Sequence, residues 1–107
     1  MKRIYRIALF IVVVISAITY LPLLNNGFVN WDDDGYILNN PLIRSVDLKA
    51  IFSSFQMGNY HPLTMLTYAI GFDLFGLNAK GYHIISLLLH LLNVILVFYA
   101  IYHLSNK

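Results

Sequence analysis

The densest group of side chains able to do chemistry is Trp31-Asp32-Asp33-Asp34-Gly35-Tyr36. Three consecutive carboxylates repel one another and call for a compensating cation or a basic partner. A carboxylate held at a membrane surface can act as general base toward an acceptor hydroxyl. It can also hold a divalent ion that neutralises a phosphate, which keeps a cation at Asp32 and Asp34 open without requiring one. An acidic turn is the competing reading, because Asp, Asn and Gly favour turns whatever surrounds them. Asp32 and Asp34 also spell DxD, a weak sign without the strand that carries it in nucleotide-sugar sites. No dedicated metal site is expected.

His61, in Asn59-Tyr60-His61-Pro62-Leu63-Thr64, is the second candidate. Its imidazole suits phosphate binding or proton transfer, or it simply packs at the start of a helix. Tyr60 and Tyr36 are read as interfacial anchors or as contacts to a substrate. A third group is His83, Ser86, His90 and Asn93, at intervals of 3, 4 and 3. That spacing puts them in one stripe on a helix. Polar side chains within a membrane turn toward other helices or a cavity, and interhelical hydrogen bonding is the plainer of the two uses.

The elements that must hold these residues are apolar. The chain has 107 residues, 59% hydrophobic and 11% charged, with a mean hydropathy of +0.68. Soluble domains carry about 25% charge, so this composition belongs to a membrane protein. The length excludes a large enzyme with separate substrate and cofactor domains. A net charge of +2 on scattered carriers excludes a nucleic-acid-binding face. The absence of cysteine excludes disulfides, thiolate metal sites and cysteine nucleophiles.

The spacing predicts a first transmembrane helix over 4–24, an outer loop over 25–80 and a second transmembrane helix over 82–103. Ile7 to Leu24 would extend ~27 Å as a helix, close to the ~30 Å hydrocarbon core. Pro22 ends or kinks it. The basic start resembles a signal peptide, but the apolar stretch is too long and no small-x-small cleavage site follows, so an uncleaved anchor is expected. Lys2, Arg3 and Arg6 before the first span, with Lys107 after the second, put both termini in the cytoplasm and the loop in periplasm or lumen. Within the loop, Asn39-Asn40-Pro41 marks a turn and Ser45-Val46-Asp47 caps a short helix that Gly58-Asn59 ends. A second short helix, along the interface or folded against the spans, starts at Pro62 and runs to about Phe75. Leu63, Leu66, Ile70, Leu74 and Leu77 recur along it at helical spacing.

Read in order, Asn26-Gly27-Phe28-Val29-Asn30-Trp31-Asp32-Asp33-Asp34-Gly35-Tyr36-Ile37, Asn39-Asn40-Pro41 and Tyr60-His61-Pro62-Leu63-Thr64 form one series. It continues through Leu74-Phe75-Gly76-Leu77-Asn78, Gly81-Tyr82-His83 and Leu87-Leu88-Leu89-His90-Leu91-Leu92-Asn93. The series resembles the N-terminal region of bacterial membrane proteins with tetratricopeptide repeats, related to the protein O-mannosyltransferase and TMTC-type families, which are GT-C-fold glycosyltransferases. The resemblance covers Gly27 to Phe98. It implies an acidic pair at the outer membrane surface, Asp32 as the base for the acceptor hydroxyl and Asp33 as its support. It also implies a polyprenyl-phosphate-linked sugar donor, with His61 as a phosphate contact and Asp34 and Tyr60 as further substrate-binding positions.

Family members continue through more spans and, in this branch, a repeat domain. The expectation is therefore an all-α integral membrane segment of a GT-C-like fold: two transmembrane helices joined by an outer loop with two short helices. It would sit in a bacterial inner membrane, as the front of a glycosyltransferase that is not active alone. Its partners would be the lipid bilayer, the lipid-linked donor and further transmembrane helices from a longer chain or another subunit. The alternative is a non-catalytic membrane subunit whose polar stripe docks onto partner helices. A membrane-perturbing peptide fits poorly with so long and structured a loop.

Overall fold

The computed structural model describes residues 1–105. The described residues are helical apart from loops, turns and one isolated bridge between Gln56 and Asn59. They divide into two units: Met1–Asn25 together with the chain from Ser86 onward, and Asn26–Ile85.

The first unit is built from α1, Arg3–Tyr20, and the greater part of α4, Ala79–Ser105. β-Branched residues crowd α1 from Ile11 to Ile15, a penalty in water that lipid overrides because each backbone group must be paired within its own segment. The α-helix stops at Tyr20, and Leu21–Asn25, which holds Pro22, continues as a tighter 3₁₀ turn. The proline has no N–H to donate and disfavours helical backbone just before it. Two aromatic contacts align the helices side by side and antiparallel. The Tyr5 ring meets Tyr102 edge-on at 5.1 Å, and Tyr20 meets His90 at 4.6 Å.

Both helices are long and apolar enough to cross a membrane, with span hydropathies of 2.7 and 2.5 and no buried residue in either apolar window. A helix so apolar and so uncovered is unlike the core helix of a water-soluble protein, which hides its apolar surface inside the fold. The chain fits an integral membrane protein.

The second unit has a small core of its own. Ile37, Ile43, Ile51, Met65, Ala69 and Tyr82 are buried together, with Phe28, Leu42, Leu66 and Phe72 packed around them. Each fully buried isoleucine contributes about 1.5–3 kcal/mol relative to exposure. The elements supplying this core are a wide π-type turn at Asp34–Leu38, a 3₁₀ turn at Pro41–Arg44, α2 at Leu48–Ser53, α3 at Pro62–Phe75, and the start of α4. Asp47 caps α2, its Oδ1 accepting from the Ala50 N–H at 3.1 Å. Pro62 occupies the first turn of α3, where its missing N–H costs nothing.

α3 differs from its sequence pattern in which face it buries. The regularly spaced Leu63, Ile70 and Leu74 are exposed, and Met65, Ala69 and Gly71 are inside. The inward face meets the 3₁₀ turn and α2, whose isoleucines fill much of the space, so the positions packed deepest against them are small or flexible, and Leu66 packs at their edge.

Candidate functional site

The acidic segment is helical, which corrects the reading of it as a turn. Asp32 and Asp33 open a helical stretch that widens into the π-type turn from Asp34. π-Type turns are rare and recur at functional sites. The three carboxylates consequently leave the backbone in different directions and meet different surroundings. Asp33 is half-buried, and its Oδ2 accepts a hydrogen bond from the Val29 N–H at 2.9 Å, closing the chain that leads into the segment. Asp34 contributes its backbone carbonyl, which accepts from the Asn39 N–H at 2.9 Å. Asp32 is exposed, and its carboxylate has no hydrogen-bond partner among the described residues. Beside it the Trp31 indole is 83% exposed.

Behind the segment, buried polar groups fix the backbone. Asn40, 2% exposed, donates from Nδ2 to the Tyr36 carbonyl at 3.0 Å and accepts at Oδ1 from the Leu42 N–H at 3.0 Å. One side chain thus joins the π-type turn to the 3₁₀ turn. Arg44 closes the same joint by donating from Nη2 to the Leu38 carbonyl at 2.6 Å, with its guanidinium 4.5 Å above the Phe72 ring. Its Nη1 is buried without a hydrogen-bond partner, and the face of Phe72 supplies the compensating attraction.

The front of the segment rests on a tight turn, Gln56-Met57-Gly58-Asn59, closed by two backbone hydrogen bonds of 2.8 Å between Gln56 and Asn59. Both central residues have positive φ, 48° at Met57 and 78° at Gly58, the mirror-image geometry of two-residue loops. Met57 lies against Gly35. The Tyr36 hydroxyl accepts from Asn59 Nδ2 at 3.2 Å and lies 3.5 Å from the Gln56 carbonyl. Tyr36 is therefore tied into the site through its hydroxyl.

His61 follows this turn. Its ring lies 5.1 Å from that of Tyr36, and Nε2 is buried with no hydrogen-bond partner. It stands at the N-cap position of α3 but makes no side-chain cap. Tyr60 points elsewhere: its hydroxyl donates to the Phe52 carbonyl at 2.7 Å, and its ring packs on Phe55 at 5.4 Å. Tyr68, on α3, feels the acidic segment electrostatically. Burial raises its phenol above the ordinary tyrosine range, and the charge of Asp33, with Tyr36, adds to the shift. Tyr36 and His61 thus stand ring to ring, Asp33 and Tyr36 both act on Tyr68, Asp32 is exposed, and Tyr60 makes its contacts with Phe52 and Phe55.

Among the described residues no three His, Cys, Asp or Glu side chains come together as a metal site. The polar stripe on α4 divides. His83 Nε2 lies 3.4 Å from the Gly27 carbonyl, and His90 packs on Tyr20. Ser86 and Asn93 are exposed. Asn40 and Arg44 were not singled out by the spacing of residues. The only sign was Asn40 before Pro41, the pattern of a side-chain cap on a proline-started turn.

Over 104 aligned residues the chain is 31% identical to a protein O-mannosyl-transferase of Caenorhabditis elegans, with 87% of the chain covered. The chain resembles a segment of that enzyme. It spans 15% of the relative's length. No protein-family model matches the chain, and no solved structure matches it.

Proposed function

We infer that this chain is the front segment of a membrane glycosyltransferase of the GT-C type, which moves a sugar from a polyprenyl-phosphate carrier to a hydroxyl acceptor. The observation that carries this reading is the unequal state of two adjacent carboxylates. Asp33 is engaged by the Val29 N–H, and Asp32 stands exposed and unpartnered beside it. A general base must be free to receive a proton and must be held in place by something else, and Asp33 provides that hold. The resemblance to a protein O-mannosyl-transferase supplies the reaction class.

In this mechanism Asp32 takes the proton of the acceptor hydroxyl as its oxygen attacks the anomeric carbon of the donor sugar. The bond from that carbon to the phosphate oxygen breaks, and polyprenyl phosphate leaves with the bonding electrons. His61 is the phosphate contact that the resemblance implies, and the neighbouring Tyr36 ring holds its imidazole in place. The spans anchor the segment in the lipid phase where the donor resides, with both termini cytoplasmic and residues 25–80 on the far side of the membrane.

The test is Asp32→Asn in the full-length reading frame that carries this segment, assayed for transfer from a polyprenyl-phosphate sugar in membranes. Transfer is expected to fall by about 10²–10⁴-fold, the usual contribution of a positioned general base, with membrane insertion unchanged. Wild-type transfer by this variant would remove Asp32 from the mechanism.

A further inference from the structure

Among the described residues no hydrogen bond holds the His61 side chain. Its Nε2 is buried without a partner, and it makes no side-chain cap on α3. A histidine ring turns freely about its second side-chain torsion unless something stops it. Packing must therefore orient the imidazole, and the ring packed on it is that of Tyr36, 5.1 Å away and tilted by 50°.

Tyr36 in turn is held at both ends. Its backbone carbonyl accepts from the buried Asn40 at 3.0 Å. Its hydroxyl accepts from Asn59 Nδ2 at 3.2 Å and turns its own proton toward the Gln56 carbonyl, 3.5 Å away. The second of these contacts is at the outer limit of a hydrogen bond, so Asn59 supplies the firmer hold. Asn59 is itself fixed, by the two backbone bonds that close the tight turn and by donating from Nδ2 to the Met57 carbonyl at 3.3 Å. It precedes His61 by two residues, so the contacts form a closed loop: carboxamide to hydroxyl, ring to ring, and main chain back to the start. Every member belongs to the unit Asn26–Ile85, and the chain makes the loop from its own residues.

We propose that Asn59 is a positioning residue for His61 and acts through Tyr36. The purpose assigned to it rests on the reading of His61 as the contact to the donor phosphate. A side chain that must meet a ligand in one orientation binds best when that orientation is set beforehand by its supporting neighbours. Without the Asn59 carboxamide the Tyr36 hydroxyl keeps only its long contact to Gln56, the Tyr36 ring is free to tilt, and the imidazole follows it. The loss falls on the donor and not on the acceptor, because no hydrogen bond joins Asp32 to this loop of contacts.

Two measurements keep this role apart from the reading it rests on. The chain has four histidines, so ¹³C-histidine labelling of the full chain in detergent micelles gives four ring signals, and that of His61 is the one lost in His61→Ala. The ring current of Tyr36 acts on it. Asn59→Ala should displace this signal, Tyr36→Phe should displace it the same way, and the double variant should go no further. The signals of His83, His90 and His103 should stay in place, which a general loosening of the fold would not allow. An unmoved His61 signal in Asn59→Ala would overturn the proposal, as would an equal displacement of all four. In the full-length reading frame that carries this segment, Asn59→Ala should raise KM for a polyprenyl-phosphate sugar roughly 2- to 12-fold, the worth of one neutral hydrogen bond, with KM for the acceptor unchanged. A partly unfolded enzyme would instead lose kcat at unchanged KM. In a His61→Ala background Asn59→Ala should add nothing, and a rise of the same size there would overturn the route through His61. If His61→Ala leaves the donor KM unaltered, the phosphate reading fails, and the labelled signals still decide whether Asn59 positions the ring.

Discussion

Met57 sits so closely on Gly35 that a Cβ added to the glycine would fall 2.5 Å from the Met57 sulfur. The contact couples the acidic segment to the tight turn at 56–59, two parts of the chain far apart in sequence. Met57 holds its place with a φ of 48°, a conformation that side-chain-bearing residues adopt at a cost of roughly 1–2 kcal/mol.

Gly35→Ala should destabilise the second unit by about 1–3 kcal/mol, the usual cost of overpacking. The clashing atom belongs to a flexible side chain, so the cost should shrink when Met57 is shortened. In a double-mutant cycle by denaturant unfolding in detergent, Gly35→Ala is expected to cost clearly less in a Met57→Ala background. Additive costs would show that the two residues are not coupled.

Gly81 faces a harder neighbour. A Cβ there would run into the ring of Phe75, which cannot swing aside as a methionine can, and Gly81 is buried. Gly81→Ala should therefore destabilise more than Gly35→Ala, by about 3 kcal/mol. Phe75→Leu should recover part of the loss, as read from thermal unfolding of the single and double variants.

The spans, the capped start of α2 and the proline-started α3 are legible in the sequence because each depends on local chemistry. Length and apolarity define the spans, Asp47 caps three residues ahead, and Pro62 tolerates only a first turn. The division of labour among Asp32, Asp33 and Asp34 is not legible, because three identical residues in a row carry no pattern. It is set by which carboxylate the Val29 N–H reaches once the backbone has turned. The inward face of α3 is hidden for a similar reason. Its leucines have the spacing of a buried stripe, and only the bulk of Ile43 and Ile51 opposite reveals that Met65 and Ala69 fit instead. Likewise His83, Ser86, His90 and Asn93 share an arc, yet only the position of α1 separates His90, packed on Tyr20, from the exposed Asn93.

Asn40 should be the least replaceable polar residue of the second unit. Its carboxamide serves both the Tyr36 carbonyl and the Leu42 N–H from a position that is 2% exposed. Asn40→Leu keeps the volume but strands both backbone groups, at about 1–3 kcal/mol for each buried group left unsatisfied. Asn40→Asp keeps the acceptor, loses the donor and buries a charge, so it should be no better at neutral pH. A loss under 1 kcal/mol in either variant, measured by denaturant unfolding, would mean that water reaches both groups.

Tyr68 gives the site a pH dependence whose sign follows from its surroundings. Burial first, and then the negative charge of Asp33 with Tyr36, raises its phenol above the ordinary value of 10.0. The unfolded chain thus ionises at lower pH than the folded one, and stability is intact below pH 10.0 and falls as pH rises through the folded value. Tyr68→Phe removes the group that titrates and should flatten the alkaline limb of the stability curve while leaving neutral-pH stability nearly unchanged. Asp33→Asn removes the charge but not the burial. It should leave part of the alkaline slope in place while lowering stability at all pH values through the weakened hold on the Val29 N–H. Unfolding curves collected from pH 8 upward for the three proteins separate these effects. An alkaline limb of unchanged slope in Tyr68→Phe would assign it to one of the other tyrosines.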